Sequence, residues 1–168
     1  MIRALSVIAA LALSAGAAAL TQQAPTAAQP PSGRVFAATS VATCQDVIKT
    51  RQSLMKKSGA AAKAAAAMMK GAAPFDPAKA KEIFATFAVD ANQMPTLFPE
   101  CSKTGDDTTA ALTIWQKPAE FKAAMAKFAA DVKAAQDNTK DLDSFKASFA
   151  TIGHDCGGCH QTFRVKKT

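Results

Sequence analysis

The sequence predicts an all-α fold, an antiparallel four-helix bundle, and three observations carry that expectation. Alanine is abundant and β-branched runs are scarce, and alanine loses no side-chain entropy on entering a helix. Pro77 and Pro118 stand at the starts of helical patterns rather than inside them, where a missing N–H does no harm. Apolar residues recur at three- and four-residue steps, the period of a helix with one buried face.

The elements follow in order. Residues 1–19 read as a signal peptide: Arg3 supplies a positive start, Ala4 to Leu13 an apolar stretch, and the small residues from Ala15 to Ala19 two A-x-A cleavage patterns. The stretch is shorter than the roughly 18 residues that a spanning helix needs. We therefore read it as a cleaved leader, with no membrane span in the mature form. Residues 20–40, rich in Ala, Gln, Pro, Ser and Thr, read as a flexible linker, and 41–168 as the folded domain. The first helix is predicted from about Thr43 to Lys70, with Gly71 as its stop. The second starts at Asp76 as N-cap and Pro77 at the first helical position, buries Ile83, Phe84 and Phe87, and ends before Pro95. From Met94 to about Thr113 a long connection holds Pro95, Pro99 and Gly105, with room for one short helical turn. The third helix begins at Pro118 and presents Phe121, Met125, Phe128 and Val132. The fourth begins near Asp141 and runs almost to the end, with Phe145, Phe149, Ile152, Cys156, Cys159, His160 and Phe163 along one stripe.

The net charge of +7 falls by one when Arg3 leaves with the leader. The lysines are dispersed along helices and no nucleic-acid-binding module is visible, so the charge points to acidic protein partners or to solubility, not to nucleic acid.

One motif carries chemistry. Cys156-Gly157-Gly158-Cys159-His160 is C-x-x-C-H, the attachment pattern of c-type haem. On a helix the two thiols lie on one face, spaced to reach two vinyl groups of a single macrocycle, and His160 can turn its ring to the iron. Gly157 and Gly158 would leave room for close approach. A zinc site would need further ligands, and the remaining cysteines are singletons with His154 the only other histidine. A thioredoxin-like dithiol would need a βαβ context. The reading is one covalently bound haem c near the C-terminal helix, held by Cys156 and Cys159 with His160 as axial iron ligand.

The tail Cys156-Gly-Gly-Cys-His160-Gln-Thr-Phe163-Arg164 resembles that of class II cytochromes c, the cytochrome c′ family, including its low-spin c-556 type. The resemblance extends to Arg51-Gln52-Ser53-Leu54-Met55, Lys70-Gly71, Pro74-Phe75-Asp76, Pro95 to Pro99 and Ile114-Trp115, and spans from about Ala42 to the C-terminus. It implies that the distal residue over the iron is Met55. In low-spin members a Met there ligates iron; in five-coordinate members the residue only packs and small gases enter. The run Leu54-Met55-Lys56-Lys57-x-Gly59 is more similar to the low-spin branch, and Gly59, one turn on, would let a haem approach closely. The alternative for Met55 is a packing role, since Met fills irregular core space. The resemblance puts Arg51 and Gln52 at haem propionates and Arg164 on the proximal side, where its charge could tune the iron. An ordinary surface role competes for each. Met68, Met69, Met94 and Met125 read as core or surface residues, His154 as a solvated one, and Trp115 and Phe163 as packing residues.

Cys44 near the start of the first helix and Cys101 just past the end of the second are brought together by antiparallel neighbours. A disulfide between them is reasonable in an exported protein, with two free thiols as the alternative. The functional expectation is a periplasmic electron carrier, not an enzyme, working with redox partner proteins of acidic character. The competing functions are a five-coordinate protein that binds nitric oxide or carbon monoxide, and an accessory domain whose haem stabilises the fold. A homodimer through the first two helices is a further expectation from the resemblance, with the Ala60–Ala67 face suited to close contact between helices or within the chain.

Overall fold

The computed structural model describes residues 36–166. The predicted leader and all but the end of the predicted linker lie outside them. Five helices follow one another: α1 Phe36–Met69, α2 Pro77–Gln93, the single turn α3 Thr113–Gln116, α4 Pro118–Asn138 and α5 Leu142–Phe163. The four long ones form an antiparallel bundle in which α1 packs on α2, α2 on α4, and α4 on α5. Among the described residues no strand forms beyond one isolated bridge, between Ala110 and Arg164, and no helix is long and apolar enough to cross a membrane.

Local sequence explains the ends. α1 closes with a Schellman turn: Gly71 adopts φ +73°, the Ala72 N–H donates to the Ala67 carbonyl at 2.9 Å and the Gly71 N–H to the Met68 carbonyl at 3.2 Å. Asp76 caps α2 through Oδ1, which accepts from the N–H groups of Ala78 and Lys79, and Pro77 follows at the first position. Asp141 and Ser144 form a reciprocal capping box at the start of α5.

Two expectations are corrected. α1 begins at Phe36 rather than near Thr43, so the last five residues of the predicted linker 20–40 are helical. Nothing from Phe36 to Thr43 is Pro or Gly, and a helix already nucleated adds residues at little expense until it meets a breaker. The connection after α2 contains two 3-10 turns rather than one, Met94–Thr96 and Glu100–Lys103.

The core has two parts. One joins Ala65 and Met68 of α1, Ile83, Phe84 and Phe87 of α2, Val132 and Ala135 of α4, and Phe145 and Ile152 of α5. The Ala60–Ala67 run contributes here, with Ala61, Ala62, Ala64 and Ala65 packed within the chain. The other joins Leu54, Met94, Ile114, Phe121, Met125 and Phe163. The connection between α2 and α3 is tied to α1 by a disulfide from Cys44 to Cys101, with Cα atoms 5.8 Å apart. At its tip Gly105 takes φ +102°. A Cβ there would also press on the end of the Gln45 side chain at 3.3 Å, so a larger residue would strain the backbone and displace that side chain.

Candidate functional site

Between the two core clusters lies a cavity of about 570 Å³. Cys156 packs against the first cluster and Cys159 against the second, so the motif spans the gap between them. α5 supplies one wall with Cys156, Cys159, His160, Phe163 and Arg164, positions that return to one face at steps of three and four. α1 supplies the facing wall with Arg51, Gln52, Met55, Ser58, Gly59 and Ala62, again at helical steps. α2 adds Phe87, Asp90 and Met94, and α4 adds Phe121, Met125 and Phe128.

The walls are mainly apolar, and the polar groups on them are specific. Burial, and then the charge of Arg164, lower the proton affinity of His160 below the ordinary imidazole value. The ring is therefore neutral at neutral pH, the form that binds a metal. Burial raises both thiols, Cys156 with a further push from Asp155, which keeps them protonated rather than thiolate. Met55 lines the cavity and is 41% exposed, so the protein leaves much of this side chain uncovered. A Cβ at Gly59 would meet nothing within 4 Å, which leaves that part of the α1 wall open to whatever fills the space.

Some predicted residues serve the protein differently. Arg51 is only 5% exposed. Its two terminal nitrogens donate to the Leu97 carbonyl, to Oγ and the carbonyl of Ser102, and to Thr108 Oγ1, at 3.0 to 3.2 Å. The guanidinium also stacks over Phe98 at 4.5 Å. Its terminal N–H groups thus anchor the 97–108 connection, and only Nε–H remains for a group in the cavity. Gln52 likewise donates to the Asp106 carbonyl at 2.8 Å. Gly157 and Gly158 are exposed and do not line the cavity; one and two residues past Cys156, they point around the helix away from the wall. His154 is exposed. Trp115 packs on Phe98 and donates to its carbonyl at 2.9 Å, and Phe163 packs edge-on against Phe121.

Two carboxylates on the walls escaped the sequence reading. Asp155 has one oxygen bonded to Lys127 of α4 and the other without a partner. Asp90 is 2% exposed. Its signal was available: it lies three residues after Phe87 and seven after Ile83, on the buried stripe of α2.

The sequence pattern of the family described as Cytochrome C' matches residues 46–164. The chain belongs to the cytochrome c′ family. Cytochrome c′ of Rhodopseudomonas palustris strain CGA009 is 44% identical over 123 residues, 73% of this chain and 84% of that protein. Cytochrome c-556 of Agrobacterium fabrum strain C58 is 39% identical over 121 residues, 71% of this chain and 82% of that one. The solved structure of the R. palustris cytochrome c′ superposes with a TM-score of 0.70, covering 73% of this chain and 98% of the other. Cytochromes of this family are haem proteins, and one haem c is the cofactor of this chain. The cavity suits it: the volume lies within the usual range for cofactor sites of about 300–1,000 Å³, and two thiols and an imidazole from α5 line it together with the partly exposed Met55 of α1.

Proposed function

We propose that this cytochrome c′ family member is an exported electron carrier whose haem is held by thioether bonds to Cys156 and Cys159. His160 and Met55 are the residues that would ligate its iron. When bound, the haem supplies one-electron exchange at iron. The residues of the chain do the rest. The apolar walls of Phe87, Phe121, Met125 and Phe128 exclude water and lower the local dielectric. Arg164 holds a positive charge beside His160, which disfavours any further positive charge there. Arg51 and Gln52 fix the 97–108 connection over one side of the cavity, and the Arg51 Nε–H and the Gln52 side chain are the donors left for haem carboxylates. Lys56 at the cavity mouth and Arg164 give this side a basic character suited to an acidic redox partner. Export is supported by the predicted leader and by the Cys44–Cys101 disulfide, which belongs in an oxidising compartment.

The observation that carries the six-coordinate reading is the position of Met55, exposed to the cavity and facing the wall of His160. The test is the absorption spectrum of holoprotein made in a host with c-type maturation. A six-coordinate low-spin spectrum that becomes high-spin in Met55→Ala is expected. A high-spin spectrum of the parent protein that shifts with carbon monoxide would replace the carrier by a gas-binding cytochrome.

A further inference from the structure

Of the buried charged side chains in the described residues, Arg51 is matched by four acceptors, whereas Asp90 is not matched by any cation in contact. Its Oδ2 accepts from the Ser58 hydroxyl of α1, and its Oδ1 has no partner. The carboxyl stands on the cavity wall among Phe87, Met94 and the apolar side chains of α4. A carboxylate left in such surroundings is disfavoured as the anion, and burial does raise its proton affinity.

We propose that the chain takes up a proton at Asp90 as its haem gains an electron, so that the two move together. The proposal rests on the reading of the cavity as the haem site. Ferric haem carries one more positive charge than ferrous haem, and in a medium of low dielectric that charge favours the Asp90 carboxylate. Reduction removes that charge and leaves the buried anion only the Ser58 hydroxyl and the more distant Lys57 charge, which do not offset its burial. In the balanced step, ferric haem, the Asp90 carboxylate, one proton from solvent and one electron from a one-electron reductant give ferrous haem and the Asp90 carboxylic acid. One O–H bond forms, the iron is reduced and the reductant is oxidised. Ser58 supplies the route. It is half-buried, and a hydroxyl both accepts and donates, so it can pass a proton between Asp90 and the surface.

The other charges around Asp90 do not take this role. Lys57 of α1 favours the anion from a distance and keeps its charge in both redox states. Arg51 is spent on the 97–108 connection. On α5, the Cys156 sulfur is committed to the haem and Asp155 is paired with Lys127 of α4. The remainder of the α4 wall is Phe121, Met125 and Phe128.

The experiment is the midpoint potential of the holoprotein from about pH 4 to about pH 9, with infrared difference spectra taken on reduction. The parent protein is expected to show a segment in which the potential falls by about 59 mV for each tenfold drop in proton activity. A carboxylic-acid C=O band should appear on reduction. Asp90→Asn should still bind haem but lose both the segment and the band. Ser58→Ala, which removes a donor to the anion, should move the segment to higher pH. A potential independent of pH in the parent protein overturns the proposal, as does a segment that survives in Asp90→Asn. If Asp90→Asn fails to fold, the parent infrared band and the Ser58→Ala shift decide, and absence of either overturns it. A mature chain with no haem spectrum overturns the site reading and this proposal together, whereas a normal spectrum with a flat potential overturns the proton alone.

Discussion

Replacing Cys44 and Cys101 together by alanine removes a cross-link between residues separated by 57 positions. That loop contains most of α1, all of α2 and the first part of the connection, so the bridge restricts more than a third of the chain in the unfolded state. The chain-entropy treatment of a loop this long gives about 14 cal/mol/K, or about 4 kcal/mol at room temperature. The native side of the balance should change little, because the four hydrogen bonds of Arg51 still hold the connection to α1. The assay is urea unfolding of the holoprotein, followed by far-UV circular dichroism and by haem absorbance. With a slope of about 2 kcal/mol/M, the midpoint should fall by about 2 M, and the slope should steepen as the unfolded chain expands. The parent protein treated with reductant should behave as the double variant does. A midpoint shift below about 0.5 M with an unchanged slope would refute the argument that the bridge acts on the unfolded ensemble.

Three further outcomes are expected. Phe145→Ala removes a fully buried ring that touches Phe75, Phe84 and Phe149, and should lower unfolding free energy by about 3–5 kcal/mol; a loss under about 1 kcal/mol would mean that the cluster collapses around the gap. The raised proton affinity of Asp90 in the fold means that the native state keeps a proton that the unfolded chain releases above about pH 4, so this group's contribution to stability declines as pH rises toward the native pKa. The stability of Asp90→Asn relative to the parent should therefore grow with pH in urea titrations, and a constant difference would contradict the sign. Arg51→Lys keeps the charge but cannot reach all four acceptors; hydrogen exchange should quicken at the 97–108 amides and leave α4 unaffected, and an even increase across the bundle would point to a global role instead.

The parts of this structure that could be read from sequence are those governed by neighbours along the chain. Asp76 before Pro77, Pro118 and Gly71 mark helix ends through backbone sterics and capping that act within a few residues. The stripe from Phe145 to Phe163 announces a buried face, and the Cys156–His160 spacing places three chemically distinct groups on it. What escaped depends on contacts across the fold. The start of α1 at Phe36 is marked only by the lack of a breaker. The use of Arg51 depends on where the carbonyls of Leu97 and Ser102 point once the connection has folded back. Asp90 sits inside an apolar stripe, where a lone acid reads as an edge residue until the opposite walls enclose it. Gly157 and Gly158 were expected beside the cavity on the strength of their size, but the helix rotation carries them outward.

Just past the haem motif, the Ala111 N–H donates to the Phe163 carbonyl at 3.0 Å, the Val165 N–H to the Thr109 carbonyl at 2.8 Å, and the Thr113 hydroxyl to the Thr162 carbonyl. The latch that fastens this crossover is thus made from the residues that directly follow the haem motif. A chain trimmed after His160 would keep both cysteines and the imidazole yet lose the stitching that closes one side of their chamber. Chemistry and closure are written in adjacent but separable stretches of the tail, and any affinity tag or fusion partner belongs beyond Lys166.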